Sequence, residues 1–209
     1  MPFGLPRRGA PKPAATPPVP ARPGSGSRGI PFDGLTEEWR LVGRMEVEGR
    51  LSDVLNRRES IALSGVSWGP LDGSEEMTPA PGLERVDPFD LIAVFAGAGT
   101  LPSFTDAERA AHKLHKVSYD VALDVPPIHV VGRVYLFPGS EPERLLDRST
   151  DLFVPVTDAV ALLGNRPLND PEVDVVLVNR SYLRGITQVD RRTVDTARAL
   201  LGITPGEPG

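Results

Sequence analysis

Glu108, His112 and His115 fall at i, i+4 and i+7 in "FTDAERAAHKLHKVS". That spacing puts a carboxylate and two imidazoles on one stripe of a helix, a donor set that could hold a divalent metal at the centre of a small-molecule site. His129 is the only further imidazole. The stripe flanks an apolar face and Lys113 and Lys116 stand close by, so a polar helix surface accounts for the same residues. The expectation is no metal and no other cofactor, with a metal-dependent enzyme or binder on Glu108, His112 and His115 as the alternative.

Other chemistry-bearing patterns lack the context they need. "GVSWG", Gly65 to Gly69, fits the G-x-S-x-G elbow that would present Ser67 on a strand-to-helix turn. The following "PLDGSEEMTPAPG" carries no helical periodicity, so the expectation is a strand ending in a Gly-Pro turn. "VFAGAGT" places Gly97 and Gly99 after an apolar strand, as a dinucleotide fingerprint begins, but Pro102 stands at the third glycine and no βαβ pattern surrounds it. The chain has no cysteine, which excludes disulfides, thiolate metal sites and cysteine nucleophiles.

These residues must be positioned by a body read from composition and periodicity. At 209 residues and 40% hydrophobic content the chain can close a core, and no apolar run reaches membrane-spanning length. Nor does the N-terminus have the apolar run of a signal peptide, so the expected localisation is cytoplasmic, with no membrane partner. Met1 to Gly29 holds eight prolines and five cations (Arg7, Arg8, Lys12, Arg22 and Arg28) with no acid, leaving 18 basic against 28 acidic residues in the remainder. A disordered, partly polyproline II tail is therefore expected on an anionic body. An anionic body repels phosphate, which argues against nucleic acid as the partner; a nucleic-acid accessory factor acting through the basic tail is the second alternative.

Past Ile30, "WRLVGRMEVE" (39–48) and "SIALSGVSW" (60–68) alternate as strands, with "RLSDVLNRR" between them as one or two helical turns capped by Ser52 or Asp53. "DLIAVFAG" is a short buried strand. Thr105 and Glu108 make a capping box for a helix with Ala107, Ala111 and Leu114 on its apolar stripe. In "DRRTVDTARALLG", Asp190 is the N-cap, Gly202 the stop, and Val194, Ala197 and Leu201 the docking face.

Four blocks recur in order. Val42-Gly43-Arg44-Met45 matches Val131-Gly132-Arg133-Val134, and Arg50-Leu51-x-Asp53 matches Arg144-Leu145-x-Asp147. Ile61-x-Leu63-Ser64 matches Val154-x-Val156-Thr157, and "DPFDLIAVF" from Asp87 matches "DPEVDVVLV" from Asp170. The second copy has no equivalent of Asn56. Order preserved across blocks predicts an internal repeat whose length changes fall in loops, the two copies packing on one another because each alone buries too little.

"RLSDVLN" resembles an R-L-S-D-x-L-N element of small uncharacterised bacterial domains, a likeness of about ten residues that implies no activity. A looser similarity to Sm-like barrels, which carry a glycine, an aspartate and an asparagine near a strand turn, breaks down at the distance from Asn56 to the next strand. The physical reading makes Asp53 and Asp147 caps, with Arg50 and Arg144 tied to nearby carbonyls or acids; a recognition surface built from Arg50, Asp53, Arg144 and Asp147 is the functional reading.

The expected fold is mainly β (α+β): a tail over 1–29, a first β unit over 30–104, then a linking helix, second β unit and C-terminal helix over 105–209. The expected function is non-enzymatic docking, scaffolding or regulation with a protein partner, homo-oligomerisation being left open.

Overall fold

Val117, Tyr119, Val121, Leu123 and Val125 alternate with polar or small residues, the pattern of a strand with one face on a core. They form one of twelve strands in the computed structural model, which describes residues 29–46, 50–97, 116–147 and 151–203. The first half contributes β1 (Ile30–Leu35), β2 (Trp39–Met45), α1 (Leu51–Asn56), β3 (Ile61–Pro70), β4 (Thr78–Pro79), β5 (Arg85–Val86) and β6 (Ala93–Gly97). The second contributes β7 (Val117–Val125), β8 (Ile128–Leu136), β9 (Phe153–Leu163), β10 (Arg166–Pro167), β11 (Val173–Asn179), β12 (Gly185–Gln188) and α2 (Arg191–Ala199). A 3-10 turn, Pro142–Leu146, stands between β8 and β9 where α1 stands between β2 and β3. The mainly β expectation agrees with this architecture.

All strand pairs are antiparallel, in the order β12-β7-β8-β9-β11-β6-β1-β2-β3-β4, with β5 on β3 and β10 on β9. Each half therefore builds the same ladder: its last strand pairs its first, which pairs its second, which pairs its third.

The recurrence extends to individual bonds. In the β2–β3 pair Val42 faces Ser67 and Arg44 faces Ser64, so one residue of β2 opposes two of β3. In the β8–β9 pair Val131 faces Val160 and Arg133 faces Thr157. Both are β-bulges whose extra residue, Gly65 at φ +58° or Asp158 at φ +50°, lies in the left-handed region. Opposite sit Gly43 and Gly132. A Cβ on Gly132 would lie 2.9 Å from the Thr157 carbonyl oxygen and 3.0 Å from Ala159 Cα.

Farther along, the carboxylate of Asp87 accepts from the Phe89 amide and the side-chain oxygen of Asn179 from the Ser181 amide, both at 2.9 Å. Leu91 N–H donates to the Pro88 carbonyl and Leu183 N–H to that of Arg180. The strands then re-enter the sheet, Ile92 N–H on the Leu35 carbonyl and Arg184 N–H on that of Asp124. These bonds align Asp87 with Asn179 and shift the fourth sequence block: "DPFDLIAVF" corresponds to "NRSYLRGIT", 179–187, instead of to "DPEVDVVLV". The apolar likeness of β6 and β11 has another cause. They pair with each other at the centre of the sheet, and both faces of that ribbon are covered. Phe95, Val176 and Val178 enter the core around Val121 and Val156, while Val94 and Leu177 enter the core around Phe32 and Met45. The two halves share this wall, so they fold as one body.

Candidate functional site

Two surfaces occupy matching places in the two halves and differ, among the described residues, in what lies on them. On the second half α2 lies against β8 and β9, seating Val194 and Ala197 on Val131 and Val160. Asp190 caps it by accepting from the Thr193 hydroxyl at 2.7 Å and from Thr193 N–H at 2.9 Å, and the hydroxyl bond first, then the amide bond, hold its carboxyl below the ordinary value. Asp158 receives three guanidinium groups: Arg198 at 2.9 Å, Arg133 at 3.4 Å and Arg191 at 3.7 Å. Arg133 also reaches Asp120 at 3.0 Å, and Arg191 reaches Asp195 one helical turn on at 3.1 Å. The network offsets the backbone strain of an aspartate at positive φ and fixes the helix over the bulge.

The matching positions of the first half are Pro31 for Asp120, Gly65 for Asp158 and Val42 for Val131. There Val42 is 37% exposed, and a Cβ on Gly65 would meet nothing within 4 Å. Beside this bulge lies a groove of about 420 Å³, bounded by Glu46, Leu63, Gly65 and Val66 on one side and Leu83 and Glu84 on the other. Its origin is local. β3 is paired at one end by Thr78–Pro79 and at the other by Arg85–Val86, and the intervening stretch turns out of the sheet, with Leu83 N–H donating to the Ala80 carbonyl. Two prolines and a glycine in "TPAPGLE" break the strand there. Two residues beyond Val66 on β3, Trp68 is 39% exposed and stacks on Trp39 with ring centroids 4.5 Å apart.

The second half has no such opening among the described residues. Its equivalent strand, β11, is held by β9 on one side and β6 on the other. Asn169 also stitches the loop before it to β9, accepting from Ala161 N–H at 2.8 Å and donating to the Ala159 carbonyl at 3.1 Å.

No protein-family model matches this chain, and no curated protein or solved structure matches it significantly.

The sequence candidates are placed as follows. Glu108, His112 and His115 lie outside the described residues, as do the tail and Gly99; among the described residues no three His, Asp or Glu side chains are grouped to hold a metal ion. Nor is any described helix long and apolar enough to cross a membrane. Ser67 sits within the continuous strand β3, not at an elbow. Arg50 is the N-cap residue of α1, its carbonyl accepting from Asp53 and Val54, and no side chain caps that helix. Asp53 thus lies in the first turn and is not the cap; Ser52 Oγ donates to its carboxylate at 3.5 Å. Asp147 ends the 3-10 turn, its carbonyl accepting from Arg180 Nη1 at 2.9 Å, and Arg144 lies within that turn. The two turns rest against different strands, α1 on β9 and the 3-10 turn on β12.

Asn56 explains the asymmetry noted in the sequence. Its amide accepts from Phe153 N–H at 2.7 Å and donates to the Phe153 carbonyl at 3.4 Å, tying the first half to the start of β9. The corresponding turn of the second half rests on β12 instead. The groove itself went unseen in sequence reasoning; the signal for it was the pair of prolines in "TPAPGLE", which marks a broken strand only once its ladder partner is known.

Proposed function

We propose that the protein is a non-enzymatic docking module whose first half receives an extended, proline-rich basic segment of a protein partner in the groove between β3 and residues 80–84. One observation carries this reading: among the described residues the partner of β3 is interrupted between Thr78–Pro79 and Arg85–Val86, which opens the groove, whereas the counterpart β11 is paired to β9 and to β6. The groove volume falls in the range of ordinary ligand sites. Leu63 and Leu83 offer apolar contact, and Glu46 and Glu84 outweigh the single cation of the lining, Arg85, which is turned to Ser60 at 3.1 and 3.0 Å, leaving a negative balance that suits a cationic segment. Proline suits the partner because it lacks the N–H that strand addition would use and is already extended, so little entropy is lost on docking.

The test is an amide-shift titration of isotope-labelled chain starting at Ile30 with a proline-rich basic peptide. Shifts are expected to cluster at residues 62–66 and 80–85. A peptide that leaves those amides unmoved while shifting others would remove the reading.

A further inference from the structure

We infer that the groove is occupied in cis by the chain's own stretch "PPVPARP", Pro17 to Pro23, an inference that rests on the docking reading above. Three observations point to this occupant. The described chain begins beside the groove: Gly29 packs on Met45, a Cβ there lying 3.0 Å from the Met45 carbonyl oxygen, its own carbonyl accepts from Arg44, and the next residue of that segment, Glu46, forms part of the groove rim. From β1, where the chain emerges, to β3, which floors the groove, is two strand spacings, about 10 Å. The connecting "GSGSRG", Gly24 to Gly29, can extend to roughly 20 Å, so it spans that distance with slack. A connection of that length and Gly/Ser composition puts the segment at a millimolar effective concentration.

Charge and shape agree with this placement. Residues 1–28 carry five cations and no acid, against a lining in which Glu46 and Glu84 outweigh Arg85. Within Pro17 to Pro23, Val19 and the prolines share the apolar character of Leu63, Val66 and Leu83, and Arg22 is opposite in charge to Glu46 and Glu84. At millimolar effective concentration an intrinsic Kd of about 100 µM keeps the site roughly nine-tenths filled. A partner bearing a similar segment must displace the tail before it docks, so the tail acts as a built-in competitor.

The absence of cysteine allows a single spin label at Ala21→Cys in the full chain. Paramagnetic broadening is expected at the amides of Ala62, Leu63, Gly65, Leu83 and Glu84, unchanged on tenfold dilution and reduced at high salt. Broadening that is absent, or spread over the surface, overturns the inference, and broadening lost on dilution places the tail on a second copy and overturns the cis arrangement. A synthetic Pro17–Arg28 peptide added to the chain starting at Ile30 separates the two claims. Groove shifts with the peptide, without broadening in the full chain, leave the docking site standing and remove its cis occupant; no shifts with the peptide and no broadening remove both.

Discussion

Asp158 holds φ +50° at the bulge position where the first half has Gly65 at φ +58°. The same backbone turn is thus made by the residue best suited to it in one half and by a strained one in the other. What the strained residue contributes is a carboxylate under α2, with three arginines converging on it. Among the described residues, that difference separates a face with a helix on it from one with none.

Replacement at Asp158 separates its two roles. Asp158→Gly sheds the strain and loses the ion pairs, whereas Asp158→Ala loses the ion pairs and keeps the left-handed backbone. The alanine variant is expected to be about 1 kcal/mol less stable than the glycine variant, measured as the difference in urea midpoint at equal slope. Equal midpoints would show that the turn carries no strain.

The two bulge glycines are not equally crowded. A Cβ on Gly132 would sit 2.8 Å from Val156 Cγ1 and 2.9 Å from the Thr157 oxygen, while on Gly43 its nearest neighbour is the Ser64 oxygen at 3.1 Å. Gly132→Ala is expected to cost about 2–3 kcal/mol and Gly43→Ala about 1 kcal/mol, because the crowding atoms include backbone that cannot yield. Thermal unfolding of the two variants, side by side, checks the order.

Asn179 is 0% exposed, donates to the Pro88 carbonyl at 3.2 Å and the Leu91 carbonyl at 2.7 Å, and accepts from Ser181. It therefore bonds the last turn of one half to the matching turn of the other. Asn179→Ala leaves buried polar groups unpaired and is expected to destabilise the whole body by about 3 kcal/mol. Both halves should unfold together in the variant, and separate transitions by calorimetry would contradict the shared wall.

Much of the fold was legible in the sequence where side chains alternate or caps are strong. β2, β3, β6 and α2 follow from Leu41 and Met45, Ile61 and Leu63, the run from Ala93, and Asp190 as N-cap with Gly202 as stop. β1 was hidden because Pro31 and Gly34 interrupt its alternation; among the described residues β6 pairs it only at Gly34 and Leu35, so Pro31 lies where one side of the strand is outside the ladder. The fourth repeat block was misaligned because burial on both faces makes β6 and β11 alike in composition while their places in the ladder differ. The groove depends on which fourth strand finds a neighbour, and that is decided by tertiary pairing, which single-strand patterns do not encode.

Acid should loosen α2 at its first turn. The Asp190 carboxyl titrates below its ordinary value of 3.8 because of its bonds to Thr193, so the cap is in full force above that value and is lost as the pH falls through the lowered folded value. Amide exchange at Thr193, corrected for the intrinsic acid dependence, is expected to rise below about pH 3.8. Asp190→Asn keeps an N-cap without a titratable group and should abolish that rise.

The most direct measurement is calorimetric titration of a synthetic Thr16–Gly29 peptide into the chain starting at Ile30, with and without the charge reversals Glu46→Lys and Glu84→Lys. The docking account predicts saturable one-to-one binding that weakens with salt and falls at least tenfold in the double variant. Equal affinity for the two proteins, or no binding to either, would contradict it.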